Sequence, residues 1–280
     1  KNDIVRNKNK TETGSLFKII SLAVLLESNS NFVDKYFFCE NGYYFLNKYF
    51  IKDFKKNGII NLKTIFQKSS NIGILKIMNF INLENFFYFI KKIDFFSSFN
   101  FKKINSNSLF FGYQVNYNIY FLSSFIYSII NNGNILSPRI IFRIIDLNNY
   151  VYNNFDNKRY FVVKKETSIF VKSILKTTTN YRGTSYIKGN FKNFSRASKT
   201  GTINKFDKEK WNYSNFFNNS LYIGIFPFLK SEFLLTLMIE NPDNNSFSSL
   251  VISPFLNKFL LYLLNLKYNF NEIKIFVKKY

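Results

Sequence analysis

One stretch of this chain dictates what must be built around it. From Ser15 to Leu26 the residues Leu16, Phe17, Ile19, Ile20, Leu22, Ala23, Val24, Leu25 and Leu26 leave a helix almost no polar side. A surface helix keeps one face for water, whereas a helix apolar all round has to be enclosed as a buried central element. The run is too short to span a membrane and contains Lys18, and no segment of the chain reaches the ~18 uninterrupted apolar residues of a membrane span. With 280 residues, 46% of them hydrophobic, the chain suits one large domain or two subdomains and can bury a substantial core. Ser15 and Lys18, three apart, share one face of the buried helix. An amine held in a dry environment loses its preference for the charged form, which is what a lysine base requires.

Two further motifs follow in order: Ser69-Ser-Asn71, and Lys199-Thr-Gly-Thr202. Singly they say little. Ser-x-x-Lys recurs at Ser173–Lys176 and Ser185–Lys188, and Ser-x-Asn at Ser98–Asn100, whereas Lys-Thr-Gly occurs once. The later Ser-x-x-Lys copies come after the Ser-x-Asn element, so only Ser15 stands in the right order.

Composition removes competing chemistries. Histidine is absent and Cys39 is the single cysteine, which excludes a Ser-His-Asp triad, a Cys-His dyad, a His/Cys zinc site and an intrachain disulfide. There is no phosphate-binding Gly-x-x-x-x-Gly-Lys loop and no Gly-x-Gly-x-x-Gly, so neither a cofactor nor a metal is expected. A serine enzyme with a lysine base is among the few catalytic options left. The net charge of +22 invites a nucleic-acid reading. Against it, the basic residues include only six arginines and form no stripe. Lys, Asn, Ile, Phe and Tyr are in excess together and share A/T-rich codons, so a biased genome accounts for the charge and the aromatic content at once.

The local pattern predicts an irregular, polar segment over 1–13, with Thr11 to Thr13 capping the first helix, and loops and short strands over 29–64 with an Asn-Gly turn at 41–42. Helices are expected after Ser69-Ser-Asn71 (carrying Ile72, Leu75, Ile77 and Met78), over 83–92, over 117–131 up to an Asn-Asn-Gly turn, over 166–178, and finally over 248–266. Short strands are expected over 135–163. Longer strands are expected over 191–203, 220–227 and 232–240, with 204–219 as the longest loop. A run of strands closed by a helix, with helices before it, reads as an α+β fold.

The ordered triple is the signature of penicillin-binding proteins and class A β-lactamases. Further segments extend the resemblance over about residues 6–267. Thr11-Glu-Thr-Gly-Ser-Leu-Phe-Lys18 resembles the Pro-Gly-Ser-x-x-Lys entry of class B penicillin-binding proteins. Phe66-Gln-Lys-Ser-Ser-Asn-Ile-Gly73 is similar to the middle motif of their division-specific, penicillin-binding protein 3-like members. Phe111-Gly-Tyr-Gln114 stands where they carry Phe-Gly-Tyr-Gly, and Ile239-Glu-Asn-Pro242 with Ser253-Pro-Phe255 resembles their last strand and helix. Two departures stand out: Thr13 replaces the usual proline, and Gln114 replaces a glycine.

The resemblance implies the transpeptidase fold shared with serine β-lactamases, an antiparallel sheet packed by helices plus an all-helical subdomain holding the middle motif. Residues 1–280 then form one transpeptidase domain, with a mostly helical insertion over about 29–190 and strands plus a closing helix over about 191–280. Only fourteen residues precede Ser15, so the first two strands of the family's sheet are expected to be missing, leaving the strand near 232–240 with an open edge. The membrane anchor and pedestal of the family are likewise not in this chain, which reads as the C-terminal part of a longer product or a shortened protein. Membrane association would come only through that anchor, and the family's place is the periplasmic face of the bacterial inner membrane.

The resemblance also implies roles. Ser15 is the nucleophile and Lys18 its base; Ser69 relays a proton toward the leaving amine; Asn71 holds the substrate amide and orients Lys18. Lys199 sets the electrostatics of the cleft, Thr200 and Thr202 bind the substrate carboxylate, and Gly201 lets the substrate lie close to the strand. Backbone N–H groups of Ser15 and Thr202 form the oxyanion hole. The implied substrate is the D-alanyl-D-alanine end of a peptidoglycan stem peptide, cross-linked through a serine acyl-enzyme during septum formation. β-Lactams act as covalent inhibitors, and division-complex proteins are the expected partners. The deacylating glutamate of class A β-lactamases has no convincing equivalent, since Glu166 reads as a helix-start carboxylate, and this favours a transpeptidase. A catalytically impaired remnant of the division complex and a D,D-carboxypeptidase or β-lactam sensor remain the alternative readings.

Overall fold

A computed structural model describes residues 10–28, 30–46, 49–93, 106–113, 116–136, 144–152, 159–187, 195–207, 212–231, 233–242 and 247–268. The chain opens with strand β1 (Lys10–Glu12), a 3-10 turn (Gly14–Leu16) and helix α1 (Lys18–Ser28). Short strands β2 (Tyr36–Phe38), β3 (Tyr43–Leu46), β4 (Tyr49–Lys52) and β5 (Ile59–Asn61) lead into helices α2 (Leu62–Lys68), α3 (Asn71–Met78) and α4 (Leu83–Lys92). After β6 (Asn116–Asn118) and α5 (Ile119–Ile130) come β7 (Asn134–Leu136), β8 (Ile144–Ile145), β9 (Val151–Tyr152), β10 (Arg159–Phe161) and α6 (Lys165–Thr178). The chain ends in β11 (Ala197–Asp207), β12 (Asn212–Phe226), β13 (Phe233–Glu240) and α7 (Ser248–Tyr268).

The apolar run behaves as its sequence requires. Every residue from Leu16 to Leu26 is buried, with α3, α4 and α6 packed around α1. Burying an aliphatic side chain of this size stabilises by about 1.5–3 kcal/mol, so the central helix is a main anchor of the core. Beside it lies an antiparallel sheet in the order β11-β12-β13. β12 is apolar on both faces: Leu221, Ile223 and Ile225 join the core around α1. Tyr222 and Phe226 join a second core with Ile252, Leu256, Leu260 and Leu263 of α7. A strand buried on both faces is a central strand, and three layers result, helices, sheet and closing helix. Among the described residues β13 pairs only with β12.

Four local expectations need correction. Lys10–Glu12 is not irregular: it pairs antiparallel with β6, Lys10 opposite Asn118. Thr13 makes no side-chain cap bond; its hydroxyl donates instead to Gly112 O at 3.2 Å. The expected loop 204–219 is largely strand, because β11 and β12 continue beyond Ile203 to pair Phe206 with Tyr213 and Asp207 with Asn212. A register shift between Asn204 and Phe206 interrupts the ladder, and such an irregularity breaks the alternation by which a strand is read from sequence. Helix α2 lies partly in the segment read as loops and strands; Asn61 caps it, accepting from Thr64 N at 3.0 Å. Gln114 and the expected strand start over 191–194 lie outside the described residues.

Candidate active site

The site assembles where the sheet edge, the start of the buried helix and the α2–α3 junction meet. Gly14, Ser15 and Leu16 form the 3-10 turn ahead of α1. Gly14 has φ +48° and its N–H donates to Gly112 O at 3.1 Å. Gly112 itself has φ +83°, and a Cβ there would lie 2.2 Å from Gly14 O. Only glycine permits both the turn and this approach, so the Phe111-Gly-Tyr segment holds the turn that carries Ser15. β11 presses on the same turn from the other side: a Cβ on Gly201 would lie 3.2 Å from Thr13 O and 3.4 Å from Leu16 Cγ. Gly201 therefore lets the strand lie against the turn that carries Ser15, a packing reason additional to the substrate approach expected of it.

The middle motif sits on a broken helix. α2 ends at Ser69, which adopts left-handed φ 55°, an unfavourable conformation for a non-glycine residue that recurs at functional sites. Ser70 then caps α3, its Oγ accepting from Gly73 N at 2.9 Å. The break turns Ser69 and Asn71 toward α1. Lys18 Nζ donates to Asn71 Oδ1 at 2.6 Å, to Ser69 O at 2.8 Å and to Ser69 Oγ at 3.2 Å. From β11, Lys199 Nζ donates to the same Ser69 Oγ at 2.9 Å and to Thr200 O at 3.0 Å. Residues far apart in the chain thus converge on one hydroxyl. With both lysine amines donating to Ser69 Oγ, its own O–H is left to point at a third group.

Both lysines are fully buried. Burial pushes Lys18 down to about 7, partly opposed by the negative charge of Asp53. Lys199 is held well below the usual lysine range, first by burial and then by the neighbouring Lys18 ammonium. Two ammonium groups crowded on one oxygen repel each other, and the arrangement favours keeping one of them neutral.

Thr200 and Thr202 differ. The Thr200 hydroxyl is buried and donates to Thr184 O at 3.1 Å. Thr202 Oγ1 lies 2.8 Å from Ser248 Oγ and accepts from Ser248 N at 3.2 Å, while Ser248 Oγ also reaches Gly201 O at 2.6 Å. Ser248 opens α7 and was not singled out by the motifs; its signal is only a serine at a helix start. Asp53, also missed, is 4% exposed just beyond β4 and binds the start of α3. Nothing local distinguishes it from the other acidic residues of the chain.

Comparison with known proteins places the fold and the family. The chain is 25% identical to the peptidoglycan D,D-transpeptidase FtsI homolog of Mesostigma viride over 307 aligned positions, 91% of this chain. It spans about half the length of that relative, 49%. Among solved structures it resembles the transpeptidase domain of Burkholderia pseudomallei penicillin-binding protein 3, with a TM-score of 0.74 at 17% identity over 91% of this chain and 80% of that one. Penicillin-binding protein 3 of Mycobacterium tuberculosis, in complex with ampicillin, gives a TM-score of 0.76 at 19% identity over 90% of this chain and 63% of that one. These likenesses carry the fold. Residues 4–261 match the family described as the penicillin binding protein transpeptidase domain, and the chain belongs to that family.

Proposed function

We infer that this chain is a serine D,D-transpeptidase that cross-links peptidoglycan stem peptides. The observation that carries the reading is the convergence of two buried lysines on Ser69 Oγ, one of them Lys18, held near a pKa of about 7 one turn beyond Ser15. A serine hydroxyl is too weak a nucleophile alone and needs an adjacent base. Neutral Lys18 takes the Ser15 proton as Oγ attacks the carbonyl carbon of the penultimate D-alanine. The tetrahedral oxyanion meets the N–H groups of Ser15 and Thr202. The C–N bond then breaks, the leaving D-alanine nitrogen receiving the Ser69 proton, which the lysines replace. The resulting ester is resolved by an amino group of a second stem peptide, which forms the cross-link and returns a proton to Ser15. Lys199 draws the terminal carboxylate into the cleft, and Thr202, with Thr200 beneath, receives it.

β-Lactams would acylate Ser15 by the same steps and remain bound; solved complexes of a similar protein with ampicillin and aztreonam support this. A septal role, division-complex partners and a place on the periplasmic face of the inner membrane rest on the middle motif and on the FtsI-type relative. The test is labelling of the folded protein with a fluorescent penicillin, followed by assay of D-alanine release and cross-linking. Labelling that needs the fold and is lost in Ser15→Ala is expected; a folded but unlabelled protein overturns the reading. Release of D-alanine into water without cross-links would make it a carboxypeptidase.

A further inference from the structure

We propose that Asp53 is a positioning residue for the acylation step: its carboxylate clamps the first turn of α3 so that Asn71 and Ser69 meet Lys18 in reacting geometry. The proposal rests on the acyl-transfer reading above and extends it to a residue outside the three motifs.

Asp53 is 4% exposed, and four donors surround its carboxylate. Oδ1 accepts Asn71 N–H at 2.6 Å and Ile72 N–H at 3.1 Å. Oδ2 accepts a short bond from Ser70 Oγ and a longer one from Asn57 Nδ2 at 3.3 Å. The N–H groups of a first helical turn have no partner within their own helix, and a carboxylate there also complements the helix dipole. Asp53 thus ties down Ser70, Asn71 and Ile72, the residues that follow Ser69 directly.

The preceding residue fixes the side chain of Asn71. Lys52 O accepts Asn71 Nδ2 at 3.2 Å, so the amide nitrogen faces β4 and the amide oxygen faces Lys18, to which it is bonded at 2.6 Å. The Lys52–Asp53 dipeptide therefore holds Asn71 by backbone and by side chain together. Were the clamp released, the amide could flip, turning two donors toward Lys18.

Asp53 also acts through its charge. It is the acidic group that raises the proton affinity of Lys18 against burial, while Lys199 faces Lys18 from β11 with the opposite sign. Around Asp53 itself stands the buried Cys39 thiol, and near that thiol lie Glu40 and Lys76. Removing the Asp53 charge lets Lys18 fall further, so the neutral base persists to lower pH. A purely structural residue would not move that titration.

The experiment measures the acylation rate constant against pH with a fluorescent penicillin, beside the melting temperature, for wild type, Asp53→Asn and Asp53→Glu. Asp53→Asn keeps the shape and loses the charge. It is expected to acylate about 10- to 100-fold more slowly at neutral pH, with the midpoint of the acid limb displaced to lower pH. Asp53→Glu keeps the charge and displaces the carboxylate; it is expected to slow acylation while the midpoint stays with wild type. Folded variants with the wild-type rate and midpoint overturn the proposal. Failure of both variants to fold, where wild type folds, also overturns it and leaves Asp53 a purely stabilising residue. An unlabelled wild type would instead remove the acyl-transfer reading, so the two failures are told apart.

Discussion

Lys18 is where function and stability pull apart. A buried amine with its pKa lowered from 10.5 to about 7 binds its proton more weakly in the folded chain than in the unfolded one. Between about pH 7 and 10.5 the unfolded chain therefore carries more protons, and stability rises with pH across that window, the burial penalty being fully present below it. Replacing Lys18 by Met removes the penalty but also the bonds to Ser69 and Asn71. The expected net is a gain of about 1–3 kcal/mol at pH 7, seen as a higher melting temperature, with loss of acylation. In the intact protein the acylation rate should climb through an apparent pKa near 7, as Lys18 loses its proton; a flat profile across that range would exclude Lys18 as the base. Stopped-flow labelling over a pH series reads this directly.

At the scale of elements, the site depends on two tight places. One is the contact of the Phe111-Gly-Tyr segment with the turn that carries Ser15. Gly112→Ala would bring a Cβ to 2.2 Å from both Gly14 O and Thr13 Oγ1 at a backbone φ of +83°, a combined clash and strain expected to destabilise by about 2–4 kcal/mol. Because the displaced atoms carry Ser15, acylation should fall even where the variant stays folded. Gly58→Ala is the control: its Cβ would meet only Asn41 Oδ1 at 3.6 Å, and the change should stay within about 0.5 kcal/mol. Thermal melts of the two variants side by side check both. The other tight place is the α2–α3 break, where a Cβ on Gly73 would lie 2.7 Å from Ile65 Cγ1. That close crossing leaves Ser69 in its left-handed turn between the two helices.

At the scale of the whole molecule, the three-stranded sheet carries helices on both faces, and among the described residues one of its edges has no partner strand. β13 is half-buried along Leu234–Ile239; Leu234 and Met238 pack toward the core around α1, and Leu235, Leu237 and Ile239 toward α7. A strand apolar on both faces suits a sheet interior, yet among the described residues it has a partner on one side only. Unpaired backbone on an apolar edge invites strand addition. The protein is expected to associate in a concentration-dependent way, and Leu237→Lys to reduce the association, since an inward charge can reach out past the open edge. Sedimentation velocity across a concentration series decides it; a monomer at all concentrations would mean that the edge is covered.

Much of this was legible in the chain itself. The central helix was determined by sequence alone, because a segment apolar in every direction has no stable place except inside. The three motifs were legible because the chemistry of each lies in neighbouring residues, and their order restricts the reaction class. Lys18, Ser69, Asn71 and Lys199 do meet by hydrogen bonds, Ser15 lying on the turn just ahead of α1, but the distances at which they meet belong to the tertiary structure. So does the pairing beyond Ile203, since a strand's partner is chosen by distant residues and a register shift hides the alternation. Asp53 was invisible for the same reason, one carboxylate among many until folding placed it under Asn71. The proton affinity of Lys18 depends on burial and on a charge supplied from another element of the fold, and no local pattern encodes either.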